Sequence, residues 1–112
     1  VGIISTSWGG TSAQAWTSIE GFAPHPELKG FADTAAANVA SSPPKAPNQG
    51  APSNLFNGML APVIPYAIKG VIWYQGENNA GKPTDYAKLL AGLIAEWRGL
   101  NGSIDEILKD EA

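Results

Sequence analysis

Cysteine is absent from the 112 residues, which excludes disulfides, thiolate catalysis and zinc–cysteine sites and leaves the redox compartment unspecified. Histidine occurs once, at His25, so a histidine-based metal site is not expected and no metal ligand is assigned. Basic residues are few: 7 Lys and Arg against 10 Asp and Glu give a net charge of −3, which provides no electrostatic footprint for nucleic acid. No apolar run reaches the roughly 20 residues of a membrane span, and no lysine-rich amphipathic segment points to a membrane surface. Val1-Gly2-Ile3-Ile4 has neither the charged start nor the length of a signal peptide. Nucleic acid, membrane and cofactor are therefore not among the expected partners.

Charged residues make up only 15% of the chain, whereas 13 glycines and 9 prolines are present. That balance describes one small soluble domain that is either rich in loops or part of a larger body hiding more surface than it can hide alone.

Along the chain, Val1 to Ser5 reads as a buried strand. Gly9-Gly10 follows as a tight turn, and Ser12-Ala13-Gln14-Ala15-Trp16 opens a helix with Thr or Ser as N-cap. Paired glycines admit positive φ and let the backbone approach a ligand, although a plain strand-to-helix turn has the same pattern. A helix is expected from about Glu27 to Val39, then a Pro-rich loop over 41–53. Residues 54–62 suggest a short helix ending near Pro62.

Gly70-Val71-Ile72-Trp73-Tyr74 is apolar and β-branched or aromatic, as in a strand buried on both faces. It delivers Gln75-Gly76-Glu77-Asn78-Asn79 at its C-terminal end, where open α/β sheets present their sites. Tyr86, Leu89, Leu90, Leu93, Ile94 and Trp97 then recur at three-and-four spacing and predict a helix over 85–98, with Thr84 as N-cap and Gly99 as its stop. Ser103 and Glu106 have capping-box spacing and suggest a short acidic helix. The reading divides the chain into an incomplete domain at 1–100 and an acidic tail at 101–112.

Four stretches carry a resemblance: Ser7-Trp8-Gly9-Gly10-Thr11, residues 55–62, Ile68 through Ala80, and Leu93-Ile94-Ala95-Glu96-Trp97-Arg98. In that order they resemble the sialate O-acetylesterase family of SGNH-type carbohydrate esterases. The resemblance implies an α/β class, specifically part of a flavodoxin-like α/β/α sandwich with a parallel sheet. It also implies hydrolysis of O-acetyl esters on sugars, with an acetylated carbohydrate as substrate, by a serine nucleophile, a histidine base and an aspartate. The family's serine block and aspartate–histidine block have no counterpart here. Where the family has serine, this chain has Asn78, and the strand expected after Arg98 is replaced by the acidic tail. The sequence thus reads as an internal piece whose N- and C-terminal neighbours lie elsewhere, inactive alone and marginal or aggregating as a monomer.

Acyl transfer develops an oxyanion that needs preorganised donors. The candidates are the backbone N–H groups of Gly9 and Gly10 and the side-chain amide of Gln75. Glu77 is assigned to a sugar hydroxyl or to holding the loop, a structural salt bridge or cap being equally compatible. Asn78 is a candidate substrate contact, with closure of a turn as its default role, shared by Asn79. Trp8, on a loop, is the candidate substrate wall, whereas Trp16 and Trp73 are expected in the core. Ser7 and His25 are the only pair that could substitute for the missing nucleophile and base. The alternative function is a carbohydrate-binding module without chemistry.

Overall fold

The computed structural model describes residues 1–41, 48–64 and 66–99 in full and 100 and 106–110 at the level of the backbone. Two helices and two strands organise it: α1 (Lys29–Ala40), β1 (Gly70–Tyr74), α2 (Pro83–Leu100) and β2 (Glu106–Asp110), interspersed with short 3-10 turns.

The longest element, α2, is the spine. Proline is accommodated at the first turn of a helix because its missing N–H would have no intrahelical partner there. The helix therefore begins at Pro83, earlier than the expected Asp85, and places Thr84 inside it. It also continues through Gly99, which is not a stop. Its apolar stripe is shared by two clusters. Leu93 and Trp97 pack with Ala15, Trp16, Leu55, Phe56 and Leu60, while Leu89 packs with Ala13, Phe22 and Leu28. The N-terminal part of the chain is thus folded over α2 through the 3-10 turns Ala13–Trp16 and Glu20–Phe22.

The helix expected over 27–39 is present as a 3-10 turn, Pro26–Leu28, running into α1. Lys88 of α2 forms an ion pair with Glu27 of that turn. This contact and a backbone hydrogen bond lower the Glu27 carboxyl below its ordinary 4.5. Residues 54–55 begin a helix that widens into the π-helix Phe56–Leu60, and Pro62 then sits within the 3-10 turn Ala61–Val63. Ser53, at φ +64, is bound to the first turn: its N–H donates to Gln14 O at 2.9 Å and its Oγ to Thr17 O at 2.7 Å. The Pro-rich loop is described only outside 42–47, and over 48–53 it forms turns.

The two strands pair in parallel, Gly70 opposite Glu106 and Tyr74 opposite Asp110, joined through α2. The acidic helix read into the C-terminal tail is therefore corrected at 106–110, which form a strand; residues 101–105 lie outside the described residues. The same pairing corrects the expectation that no strand follows Arg98. Strand β1 is not buried on both faces either. Val71 and Trp73 face the core, Trp73 edge-on to Trp16 with ring centroids 6.3 Å apart, whereas Ile72 and Tyr74 are 80% and 67% exposed. Val1 to Ser5 has no regular structure, with Val1, Ile3 and Ile4 exposed, because a strand needs a hydrogen-bonding neighbour and none pairs with it among the described residues. Among the described residues this is a mostly helical α/β unit around one parallel strand pair.

Candidate functional site

The glycine turn and the polar end of β1 meet. Gly10, at φ +74, turns the first loop in a conformation that costs a side-chain-bearing residue more than glycine. Thr11, beyond it, is buried. Its hydroxyl donates to Trp8 O at 2.7 Å and accepts from Trp16 Nε1 at 2.9 Å, which ties the loop to the core. The second loop leaves β1 at Gln75 and closes with a 3-10 turn, Glu77–Asn79, in which Asn79 N–H donates to Gly76 O at 3.0 Å.

Side-chain amides join the two. Asn79 Oδ1 accepts from Ala13 N–H at 2.9 Å and from Gln75 Nε2 at 2.8 Å, while its Nδ2 donates to Gln14 Oε1 at 3.1 Å. Asn78 Nδ2 donates to Gly10 O at 3.1 Å and to Ser12 Oγ at 2.9 Å. Gln75 Nε2 also donates to Thr11 O at 3.2 Å, and the Gln75 carbonyl accepts from Tyr86 Oη at 2.7 Å. Every bond across the junction closes a loop of more than 60 residues, so the network fixes tertiary position and not merely local turn geometry.

Of the sequence-selected residues, Gly9, Gly10, Gln75 and Asn78 are brought to this junction. The N–H groups of Gly9 and Gly10 donate to no backbone acceptor among the described residues, and both glycines face open space. Gln75 has both amide hydrogens engaged, and its Oε1 is buried without a protein partner. Trp8 is half exposed beside the turn. Glu77 is exposed and, among the described residues, makes neither an ion pair nor a cap. No hydrogen bond joins Ser7 to His25, whose backbone is held between Phe22 O and Leu28 N–H. Among the described residues, no group of three acidic or histidine side chains is placed to hold a metal.

Asn79, whose expected role is no more than closing a turn, is the buried hub of the network. Its type was consistent with that role, but its partners lie 65 and 66 residues away and no local pattern reveals them. Next to the hub, a cleft of about 370 Å3 is lined by Gln14, Phe31, Asn78, Asn79, Lys82 and Asp85, among others. A lining of amides, one cation, one carboxylate and the Phe31 ring suits a polar ligand with an apolar face.

Comparison with known proteins bears on this junction. The chain is 34% identical over 118 residues to rat sialate O-acetylesterase, a match covering 88% of this chain and 22% of the relative. The same-named proteins of Pongo abelii and Homo sapiens are 35% and 34% identical over 99 residues, covering 88% of this chain and 17% of each relative. No family profile matches the chain, and no solved structure does. The chain spans about a fifth of the length of the curated relatives it matches. Taken together with the tryptophan-tyrosine-glutamine-glycine-glutamate run at 73–77, these matches show that the chain belongs to the sialate O-acetylesterase family.

Proposed function

We propose that this chain supplies part of the acyl-binding wall of a carbohydrate O-acetylesterase and has no nucleophile–base pair of its own. The observation that carries this reading is the Asn79–Ala13 hydrogen bond, which holds the Gly9-Gly10 turn against the loop after β1. In ester hydrolysis the carbonyl oxygen becomes an oxyanion when the nucleophile adds, and neutral N–H donors fixed beforehand stabilise it without reorganisation. The N–H groups of Gly9 and Gly10, which donate to no backbone acceptor among the described residues, fit that demand. Gln75 would join them by exchanging its bond to Thr11 O for the substrate oxygen; until then its amide orients the turn. Glu77 and Asn78 lie beside them as contacts for sugar hydroxyls, and Trp8 forms a wall. In fold terms, β1, α2 and β2 are read as one repeat of a flavodoxin-like α/β/α sandwich.

Hydrolysis of 4-nitrophenyl acetate and of an acetylated sugar tests the reading. The chain alone is expected to give no turnover above the uncatalysed rate. Clear turnover that disappears in Ser7→Ala would overturn it, because Ser7 would then be a working nucleophile.

A second reading, carbohydrate binding without chemistry, is favoured by the cleft at Asn78, Asn79 and Lys82. Titration with sialic acid or xylo-oligosaccharides, followed by tryptophan fluorescence with Trp8→Ala as control, is expected to saturate if it holds. An absence of saturable change removes it.

A further inference from the structure

Gln75 is held from two sides. Its side-chain Nε2 donates to Thr11 O and to Asn79 Oδ1, and its backbone carbonyl accepts from Tyr86 Oη of α2 at 2.7 Å. Tyr86 is half-buried, with its ring packed against the cluster of Ala13, Phe22, Leu28 and Leu89. Its phenol therefore reaches the loop after β1 from a fixed base in the first turns of α2, where Tyr86 N–H donates to Lys82 O at 3.1 Å.

The consequence falls on the next residue. A peptide unit is planar and trans, so its C=O and the following N–H point in opposite directions. With the Gln75 carbonyl turned to Tyr86, the Gly76 N–H is directed away from that phenol. Among the described residues it donates to no acceptor. Gly76 stands between Gln75 and Asn78, whose side chains both bond to the glycine loop, at Thr11 O and Gly10 O. Its own carbonyl accepts from Asn79 N–H at 3.0 Å, so the peptide units on both sides of Gly76 are tied down.

Neither strain nor lack of room demands glycine at this position. A φ of 165 is extended backbone, and a Cβ would meet Tyr86 Oη at 3.5 Å, an ordinary contact. What glycine leaves is an N–H with no side chain beside it, open to close approach by a ligand.

We propose that Tyr86 is a positioning residue of the candidate site: by holding the Gln75 carbonyl it presents the Gly76 N–H as a third backbone donor, with those of Gly9 and Gly10, to an acyl or carboxylate oxygen. The inference rests on the acyl-binding reading of that site and adds to it a donor that is free from the outset, whereas the Gln75 amide must first release Thr11 O. Donors fixed beforehand stabilise a developing anion because nothing has to reorganise when the charge appears. The Tyr86 ring serves the packing and its hydroxyl serves the site, so Tyr86→Phe separates the two roles.

NMR titration of the isotope-labelled chain with sodium acetate at constant ionic strength tests this, the acetate oxygens standing in for the acyl oxygen. The amide resonances of Gly9, Gly10 and Gly76 are expected to move along one isotherm. Tyr86→Phe should weaken that binding roughly tenfold, as for the loss of one hydrogen bond to a charged group, and abolish the Gly76 response. Without acetate, the same variant should speed exchange of the Gln75 Nε2 protons while the amide of buried Leu93 stays as protected as in the parent chain. A Gly76 amide that does not respond in the parent chain overturns the proposal, whether or not the variant folds. Equal Gly76 responses in parent and Tyr86→Phe, or Gln75 exchange unchanged by the substitution, overturn the positioning role. A Tyr86-dependent response at Gly76 with Gly9 and Gly10 silent supports the proposed donor and removes the acyl-binding reading; responses at Gly9 and Gly10 without Gly76 do the reverse.

Discussion

Asn79 and Ala13, 66 residues apart in the chain, share a buried hydrogen bond of 2.9 Å between a side-chain carbonyl and a backbone N–H. The same Oδ1 receives Gln75, and the Nδ2 of the same amide serves Gln14. One asparagine thus positions both loops of the candidate site.

Replacing Asn79 with alanine leaves the Ala13 N–H buried without an acceptor and frees the Gln75 amide. An unmet buried donor costs about 1–3 kcal/mol. Asn79→Ala is expected to lower stability by about that amount in urea denaturation, while Asn78→Ala, whose bonds are solvent-exposed, should cost less. Equal effects would mean that Asn79 is not the hub.

Two glycine-to-alanine changes should differ in sign. Gly21→Ala places a methyl group 2.8 Å from Thr17 Cγ2 against the Glu96 carboxyl, and overpacking of this kind costs about 1–3 kcal/mol. Gly99→Ala, within α2 and with nothing near its added Cβ, should gain up to about 1 kcal/mol from helix propensity. Thermal melts of the two variants against the parent chain decide the matter.

The two faces of β1 should also respond differently. Trp73 packs edge-on against Trp16, so Trp73→Ala is expected to cost about 2–4 kcal/mol. Ile72 is on the exposed face, and Ile72→Glu should change stability little while reducing the self-association that an exposed apolar strand face invites. Light scattering over a concentration series measures the second effect; scattering unchanged from the parent would show that this face does not drive association.

The Glu27–Lys88 ion pair gives a pH dependence of its own. Its carboxyl is lowered by Lys88, so its contribution is present above 4.5 and is lost as pH falls through the lower folded value. Because Glu27 is solvent-exposed, the expected readout is its own NMR titration, and Lys88→Met should return the midpoint toward 4.5. A midpoint unmoved by that substitution would mean that Lys88 does not hold the carboxyl down.

How much was legible varied with the reach of the interaction involved. The spacing of Tyr86, Leu89, Leu90, Leu93 and Trp97 gave α2, because helical periodicity is local; its ends were misplaced because a proline can begin a helix and a glycine need not end one. The β1 segment was legible from its residue types. The buried strand expected at Val1 to Ser5 failed because residue type does not supply a neighbour. The helix expected near the C-terminus failed for a related reason: the capping-box pattern covers four residues, whereas pairing of 106–110 with β1 is non-local.

Residue order along the chain is enough to specify the family, the helical spine, and the residue types gathered at Gly9-Gly10 and Gln75-Gly76-Glu77-Asn78-Asn79. Those follow from local composition and order. Folding in three dimensions adds that Asn79 binds Ala13, that Gln75 uses both its donors inside the junction, and that Glu96 accepts from Ser18. Hydrogen-bond partners and desolvation depend on which distant segments the packing of α2 brings together, and no spacing along the chain encodes that.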